Sequence, residues 1–121
     1  MILEKVNLQE KFALFTDYWH PRVAGELNGQ HVKLVKLKGE FIWHQHEHED
    51  ELFFVVAGEL KIELRDKTVI LKPGEFIIIP RGIEHRPVAE NEVQVLLFEP
   101  ASTLNTGDQR SALTRDILDN I

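Results

Sequence analysis

Turn signals at short intervals constrain this chain most, because they divide it into brief segments rich in β-branched and aromatic residues. Glycine and proline recur within 57–59, 72–74 and 80–82, where they permit a positive φ or end a strand. Long helical periodicity is missing, so the pattern predicts an all-β fold. The predicted strands are Lys11–Thr16, Gln30–Leu37, Phe41–His46, Leu52–Ala57, Leu60–Arg65, Thr68–Leu71, Phe76–Ile79, His85–Val88 and Val93–Phe98.

Two of these segments predict different burial. Residues 60–65 alternate between aliphatic and charged side chains, which is typical of a strand with one buried and one solvated face. Residues 76–79 are apolar throughout. That run predicts a strand covered on both faces.

The chain length fits one domain over residues 1–121. We expect a core barrel at about 30–100, an N-terminal arm at 1–29 and a tail at 101–121. Aliphatic residues recur in the tail at four-residue spacing, which predicts a short C-terminal helix; they are Leu113, Ile117 and Ile121. The arm and the tail hold more apolar residues than a closed barrel needs, so we expect a homodimer that buries them.

Composition narrows the function classes. A net charge of -6 without a basic stripe argues against a nucleic-acid partner. The N-terminus does not resemble a signal peptide, and no apolar stretch has the length of a membrane span, so we expect a cytoplasmic protein without a membrane partner. The chain has no cysteine, which leaves nitrogen and oxygen as metal donors.

Metal-ligand residues occur at chelating spacing. His44 and His46 lie two residues apart on a predicted strand and therefore point to the same face. Glu51 begins the next strand and can return a carboxylate to that place, while His85 follows a Pro-x-Gly turn. Three imidazoles and one carboxylate suit one divalent transition metal, namely Mn, Fe, Co, Ni, Cu or Zn. His48 falls in the intervening turn, and we expect it to stay outside the ligand set.

Two motifs in the chain resemble those of the RmlC-like cupin superfamily. Gly39-x4-His44-x-His46-x4-Glu51-x6-Gly58 resembles the first cupin motif, and Gly74-x5-Pro80-x-Gly82-x2-His85 resembles the second. The resemblance implies a double-stranded β-helix, that is a jelly-roll β-barrel, of the small single-domain cupin 2 type. It also implies that His44, His46, Glu51 and His85 hold one ion inside the barrel. The departures are a glycine one residue closer to His44 than is usual and Ala89 where Asn often stands.

Other polar residues have plainer interpretations. His20 and His31 are expected to be ordinary hydrogen-bonded or exposed histidines. Glu47, Glu49 and Asp50 are expected to form a solvated turn, in which one carboxylate could orient a ligating imidazole. Two arginines flank the third histidine and are either surface charges or, if they point inward, holders of an anionic substrate; they are Arg81 and Arg86.

Three functions stay open at this point. The first is an enzyme acting on a small oxygen-rich substrate, such as a carbonyl, diol or sugar-like compound, as an oxidoreductase, a dioxygenase or an isomerase. In that case Glu51 could act as a general base, and we expect a substrate pocket lined by Phe41, Trp43, Phe53 and Phe76. The second is a non-catalytic module that binds a small molecule or a metal. The third is an interaction subunit with a structural metal.

Overall fold

The computed structural model describes residues 3–121 and is dominated by antiparallel β-structure. One helix, α1, spans Leu8–Phe12. The strands are β1 (Arg22–Leu27), β2 (Gln30–Glu40), β3 (Glu51–Ala57), β4 (Leu60–Leu64), β5 (Thr68–Leu71), β6 (Phe76–Ile79) and β7 (His85–Pro100). The all-β prediction is therefore confirmed. The first two residues of the predicted arm lie outside the described part of the chain.

Strand β7 joins the two sides of the barrel. Its first residues pair with β4, and its later residues pair with β2 on one edge and β3 on the other. The remaining order runs β1-β2-β7-β3-β6, with β5 paired to β4. A register shift between Leu37 and Gly39 marks a bulge in β2, and Gly39 supplies the positive φ of 85° there.

Side-chain alternation builds two apolar clusters. The inner faces contribute the barrel core, in which Val55, Leu60, Ile62, Val93 and Val95 are fully buried. A second cluster lies on the outer face of the sheet, where Phe12 and Phe15 of the arm pack on Leu34 of β2, with Ile121 of the tail against them. The arm and the tail thus cover part of their own barrel.

The N-terminal arm differs from the prediction. Lys11–Thr16 is not a strand, because the Asn7 side chain accepts a hydrogen bond from Glu10 N at 2.9 Å and so caps helix α1. Strand β1, which the sequence pattern did not predict, follows at Arg22–Leu27.

Three further strand predictions are corrected. Phe41–His46 is irregular backbone whose one ladder contact is a bridge between His44 and His85. His85–Val88 and Val93–Phe98 form the single strand β7.

The prediction that residues 76–79 are covered on both faces is wrong for this chain. Phe76 and Ile78 are 59% and 53% exposed, whereas Ile79 is buried. The strand β6 lies at the edge of the sheet order, and no other part of residues 3–121 covers its outer side chains.

The tail contains no helix between residues 101 and 121; it consists of turns and bends. Its polar side chains bind backbone groups that a helix would use, as in Asn105 Nδ2 to Leu113 O at 2.9 Å and Ser111 N to Thr114 Oγ1 at 3.0 Å. These local bonds explain why four-residue spacing did not produce a helix. Within residues 3–121, no helix has the length and apolarity needed to cross a membrane.

Candidate metal centre

Three parts of the fold bring the four predicted ligands together. His44 and His46 lie on the irregular segment after β2, Glu51 is the first residue of β3, and His85 is the first residue of β7. Reciprocal backbone hydrogen bonds of 3.1 and 2.9 Å tie His44 to His85. One ligand atom from each of the four residues lies within 4.8 Å of the others, and all four side chains are buried.

Backbone carbonyls select the tautomer of two of these histidines. His44 Nδ1 lies 2.9 Å from Ile42 O, and His85 Nδ1 lies 2.9 Å from Ile83 O. A carbonyl oxygen only accepts, so each Nδ1 carries the hydrogen and donates it. Each Nε2 is then left with a lone pair, which is the form that binds a metal.

Lone pairs consequently face one another inside the cluster. His85 Nε2 lies 3.2 Å and His46 Nε2 lies 3.4 Å from the same Glu51 oxygen, Oε1. Neither ring nitrogen of His46 has a hydrogen-bond partner within residues 3–121. Acceptors converging in a buried space need a cation between them, either protons or a metal ion. The residues therefore fit a divalent ion held by three nitrogens and one oxygen.

Burial and the neighbouring charges set the protonation of the ligands. Burial lowers the pKa of His44 to about 4, and the positive charge of a protonated His85 opposes protonation further. Burial also opposes protonation of His46, but the nearby Glu51 carboxylate outweighs it and raises the pKa of His46. Burial likewise opposes ionisation of Glu51, yet contacts with His46, His85 and Glu99 hold its pKa well below the ordinary value. The cluster thus presents an ionised carboxylate and one neutral imidazole at neutral pH.

A buried ion pair lies beside Glu51. Lys33 Nζ is 2.8 Å from Glu99 Oε1, and both side chains are 2% exposed. Burial and the charge of Glu51 raise the pKa of Glu99 well above its usual range, although Lys33 opposes this. Sequence reasoning missed both residues. The alternation of strand residues could have identified them, because Lys33 lies two residues from the buried Val35 and Glu99 lies two residues from the buried Leu97.

The structure places the remaining histidines and arginines away from the cluster. The His48 side chain is 80% exposed, and His20 Nδ1 lies 3.1 Å from an Asp17 oxygen. Arg81 is exposed beside Asp50, and Arg86 Nε donates to Glu63 Oε1 at 2.7 Å. Neither arginine side chain is directed into the cluster.

A cavity of about 40 Å³ adjoins the ligands. Its walls include the ligands His44 and Glu51 together with Phe41 and Phe53, two of the four residues expected in a substrate pocket. Trp19 and Asn105 also line it, and sequence reasoning did not select either of them. Trp19 stacks on Phe41 with ring centroids 4.8 Å apart.

The other two residues expected in a substrate pocket do not line this cavity. Trp43 is stacked with Arg65, whose guanidinium carbon is 3.8 Å from the ring centroid, and it does not reach the cavity. Phe76 points outward because β6 alternates, placing Ile77 and Ile79 against the core instead.

The tail segment 104–108 lies against the ligand segment. Gln45 O accepts from Asp108 N at 3.0 Å, and Gln45 N donates to Asp108 Oδ1 at 3.1 Å. A Cβ at Gly107 would collide with the Gln45 carbonyl and come 3.2 Å from the His44 ring, so only glycine allows this approach. The tail therefore forms part of the wall around the cluster.

The sequence of this chain is similar to a protein-family model and to a protein of Bacillus subtilis. A family model described as a cupin domain matches residues 31–99. The uncharacterized protein YdbB of Bacillus subtilis (strain 168) is 45% identical over 81 residues, covering 66% of this chain and 66% of YdbB, just under two thirds of each. The range matched by the family model includes all four clustered residues, and the cupin-type barrel predicted from the two motifs is confirmed.

Two solved structures are similar over more of the chain. A cupin-2 domain containing protein from Shewanella frigidimarina NCIMB 400 is 45% identical with a TM-score of 0.78, covering 78% of this chain and 93% of that one. Protein NMB1881 from Neisseria meningitidis is 31% identical with a TM-score of 0.74, covering 81% of this chain and all (100%) of that one.

Proposed function

The chain belongs to the cupin family, and from that premise we propose that it is a metal-dependent enzyme acting on a small oxygen-rich substrate. The substrate class is a carbonyl, diol or sugar-like compound, and the reaction class is oxidoreductase, including dioxygenase, or isomerase. The observation that carries the proposal is the convergence of buried acceptors on one point beside a cavity. When bound, a divalent transition metal would supply Lewis acidity to a substrate oxygen.

The charge of the site supports an oxygen-rich ligand. Three neutral imidazoles and one carboxylate leave a divalent ion with a net charge of about +1, and four protein ligands leave open positions if the ion is six-coordinate. The cavity wall is otherwise apolar, apart from Asn105, whose amide could orient a polar group. The chain thus offers a charged attachment point in apolar surroundings.

Glu51 serves first as a ligand. Its low pKa keeps the carboxylate ionised, which favours metal binding and makes it a weak base while the histidines stay beside it. The role of general base for Glu51 therefore stays a prediction that requires the carboxylate to leave its present contacts.

The cavity restricts the size of the substrate. A volume of about 40 Å³ holds roughly three waters, at about 10–15 Å³ each. A ligand with more than a few heavy atoms would extend beyond this cavity or displace part of its wall. Small diketones and other short oxygenated compounds are accordingly the first substrates to test.

A reconstitution screen tests the proposal. Metal-free protein is loaded separately with each candidate metal and assayed with sugar phosphates, diketones and catechols, with oxygen consumption recorded in parallel. Turnover that needs the metal and is lost in His46→Ala, but kept in the exposed control His48→Ala, would support the enzyme. Oxygen consumption would separate the oxidative class from the isomerase class.

One observation favours a second candidate, a non-catalytic module that binds a metal or a small molecule. The four ligand residues are at most 3% exposed, and the adjoining cavity is small. A loaded ion without an exchangeable water, measured by proton relaxation with Mn²⁺, together with no turnover in the screen, would favour this module over the enzyme.

A further inference from the structure

A second and larger cavity, of about 390 Å³, lies between the β1–β2 hairpin and the C-terminal tail. Its volume is within the range of sites that hold small molecules. Basic side chains on its wall are His31 and Lys33 from β2 and Arg115 from the tail; acidic ones are Glu26 and Asp116. None of these residues belongs to the cluster of four metal ligands.

All but one of the charged groups on this wall already have partners. Lys33 is paired with Glu99 at 2.8 Å, Asp116 Oδ1 lies 2.6 Å from Arg110 Nη2, and Glu26 Oε2 lies 3.6 Å from His31 Nε2. Arg115 takes part in no ion pair found within residues 3–121. Within residues 3–121, Arg115 is therefore the cation on this wall without an acidic partner, while Glu26 faces an imidazole that is charged only when protonated.

Two buried nitrogens on the same wall also lack hydrogen-bond partners within the described chain. They are Nε of Arg115 and Nδ1 of His31. Arg115 Nε always carries a hydrogen, and a buried N–H without an acceptor is unfavourable, so it normally finds a partner in the protein, in water or in a ligand. A guanidinium group is suited to oxyanions because it donates two parallel hydrogen bonds.

We propose that this cavity binds a small oxyanion, the carboxylate or phosphate group of a metabolite, with Arg115 as the principal contact. His31 lies on the facing hairpin and supplies a second donor when its ring is protonated, because its Nε2 already faces Glu26, whereas the Lys33 charge is paired with Glu99. Lys33 donates a hydrogen bond to Glu99, and Glu99 contacts the metal ligand Glu51. These buried side chains connect the anion site to the metal centre. The anion site itself needs no metal and no turnover.

The test is a titration of the ¹⁵N-labelled full-length protein, first metal-loaded and then treated with chelator, followed by NMR. Inorganic phosphate and acetate are the two probes, and their relative affinities show which oxyanion is preferred. We expect saturable shifts at residues of the cavity wall in both forms. Arg115→Gln should weaken binding about tenfold or more, because hydrogen bonds to charged groups contribute that much. Lys67→Gln removes the same charge from the exposed β4–β5 turn and should leave the affinity nearly unchanged.

Several results would overturn the anion site. They are the absence of saturable shifts with both probes, shifts that survive Arg115→Gln, and shifts that vanish with the metal, which would assign the anion to the metal centre. If Arg115→Gln fails to fold by circular dichroism, His31→Leu tests the opposite wall in the same way. Binding unaffected by the folded variant would contradict the proposal equally.

Discussion

Replacing Lys33 with Met should reveal how strongly the buried charges behind the metal ligands depend on one another. The Met side chain keeps most of the apolar length of lysine but removes the ammonium group 2.8 Å from Glu99. Glu99 would then be a buried acid without a counter-charge, with Glu51 beside it. Removing one partner of a buried pair costs about 3–5 kcal/mol of folding free energy when the other partner stays charged.

The loss should depend on pH with a definite sign. Burial and Glu51 already raise the folded-state pKa of Glu99 above the ordinary 4.5, and removing Lys33 raises it further. Near pH 5 the mutant can keep Glu99 protonated and lose little more than a hydrogen bond. As pH rises from the folded-state pKa of Glu99 in wild type towards the higher one in the mutant, the penalty relative to wild type should grow by up to about 1.4 kcal/mol per unit.

Urea unfolding of metal-free protein at pH 5 and pH 8 measures the effect, with wild type at each pH as reference. Lys36→Met is the matched control, because Lys36 is buried in the same strand but its Nζ donates to the Phe15 carbonyl at 2.7 Å and has no acidic partner in the described part of the chain. Its effect should be smaller and nearly independent of pH. Lys33→Met/Glu99→Leu, which removes both charges, should recover most of the stability. An equal loss in Lys33→Met at both pH values would refute the electrostatic account.

Four further outcomes are expected. His85→Ala should lose most bound metal by elemental analysis while His48→Ala retains it, and the reverse pattern would contradict the ligand assignment. Because the pKa of His46 is raised, metal affinity should fall about tenfold per pH unit once pH drops below that pKa, with proton release visible by calorimetry in buffers of different ionisation enthalpy. A homodimer should appear in sedimentation at micromolar concentration and weaken in Phe76→Ser, since Phe76 is 59% exposed on an edge strand; a wild-type monomer would refute it. Gly107→Ala should loosen the tail and increase its proteolysis, because its Cβ would collide with the ligand segment; unchanged cleavage would argue against that contact.

The sequence was informative where a local pattern has one structural solution. Alternation of apolar and charged residues predicted the buried face of β4. The spacing of three histidines and one glutamate predicted four residues whose ligand atoms the fold brings within 4.8 Å of one another. Local patterns failed where distant contacts decide. His44 and His46 share a face without lying on a regular strand, because the backbone of His85 holds that segment.

Burial on the outer surface of the sheet also depends on contacts that a local sequence pattern does not contain. An apolar run such as residues 76–79 indicates β-structure, but whether both faces are covered depends on what lies beyond the edge of the sheet. Here the arm and the tail cover Leu34 and leave Phe76 exposed. Exposed apolar side chains therefore occur on β6, and the arm and the tail also keep some, since Leu14 and Ile117 are 65% and 87% exposed.

Lys33 and Glu99 show what alternation can and cannot reveal about a site. Each continues the inward-facing parity of its strand, so counting by two places a charged residue inside the barrel on both β2 and β7. Antiparallel register then brings them close, because Lys33 pairs with Leu97 and the neighbouring inward position of β7 is Glu99. What parity cannot supply is the contact of Glu99 with Glu51, since that depends on where β3 begins. An unpaired charge inside the barrel would destabilise the fold, so an inward-facing charged residue must have a partner there. Such a residue, like Lys33 or Glu99, should therefore be counted as part of the site until its partner is known.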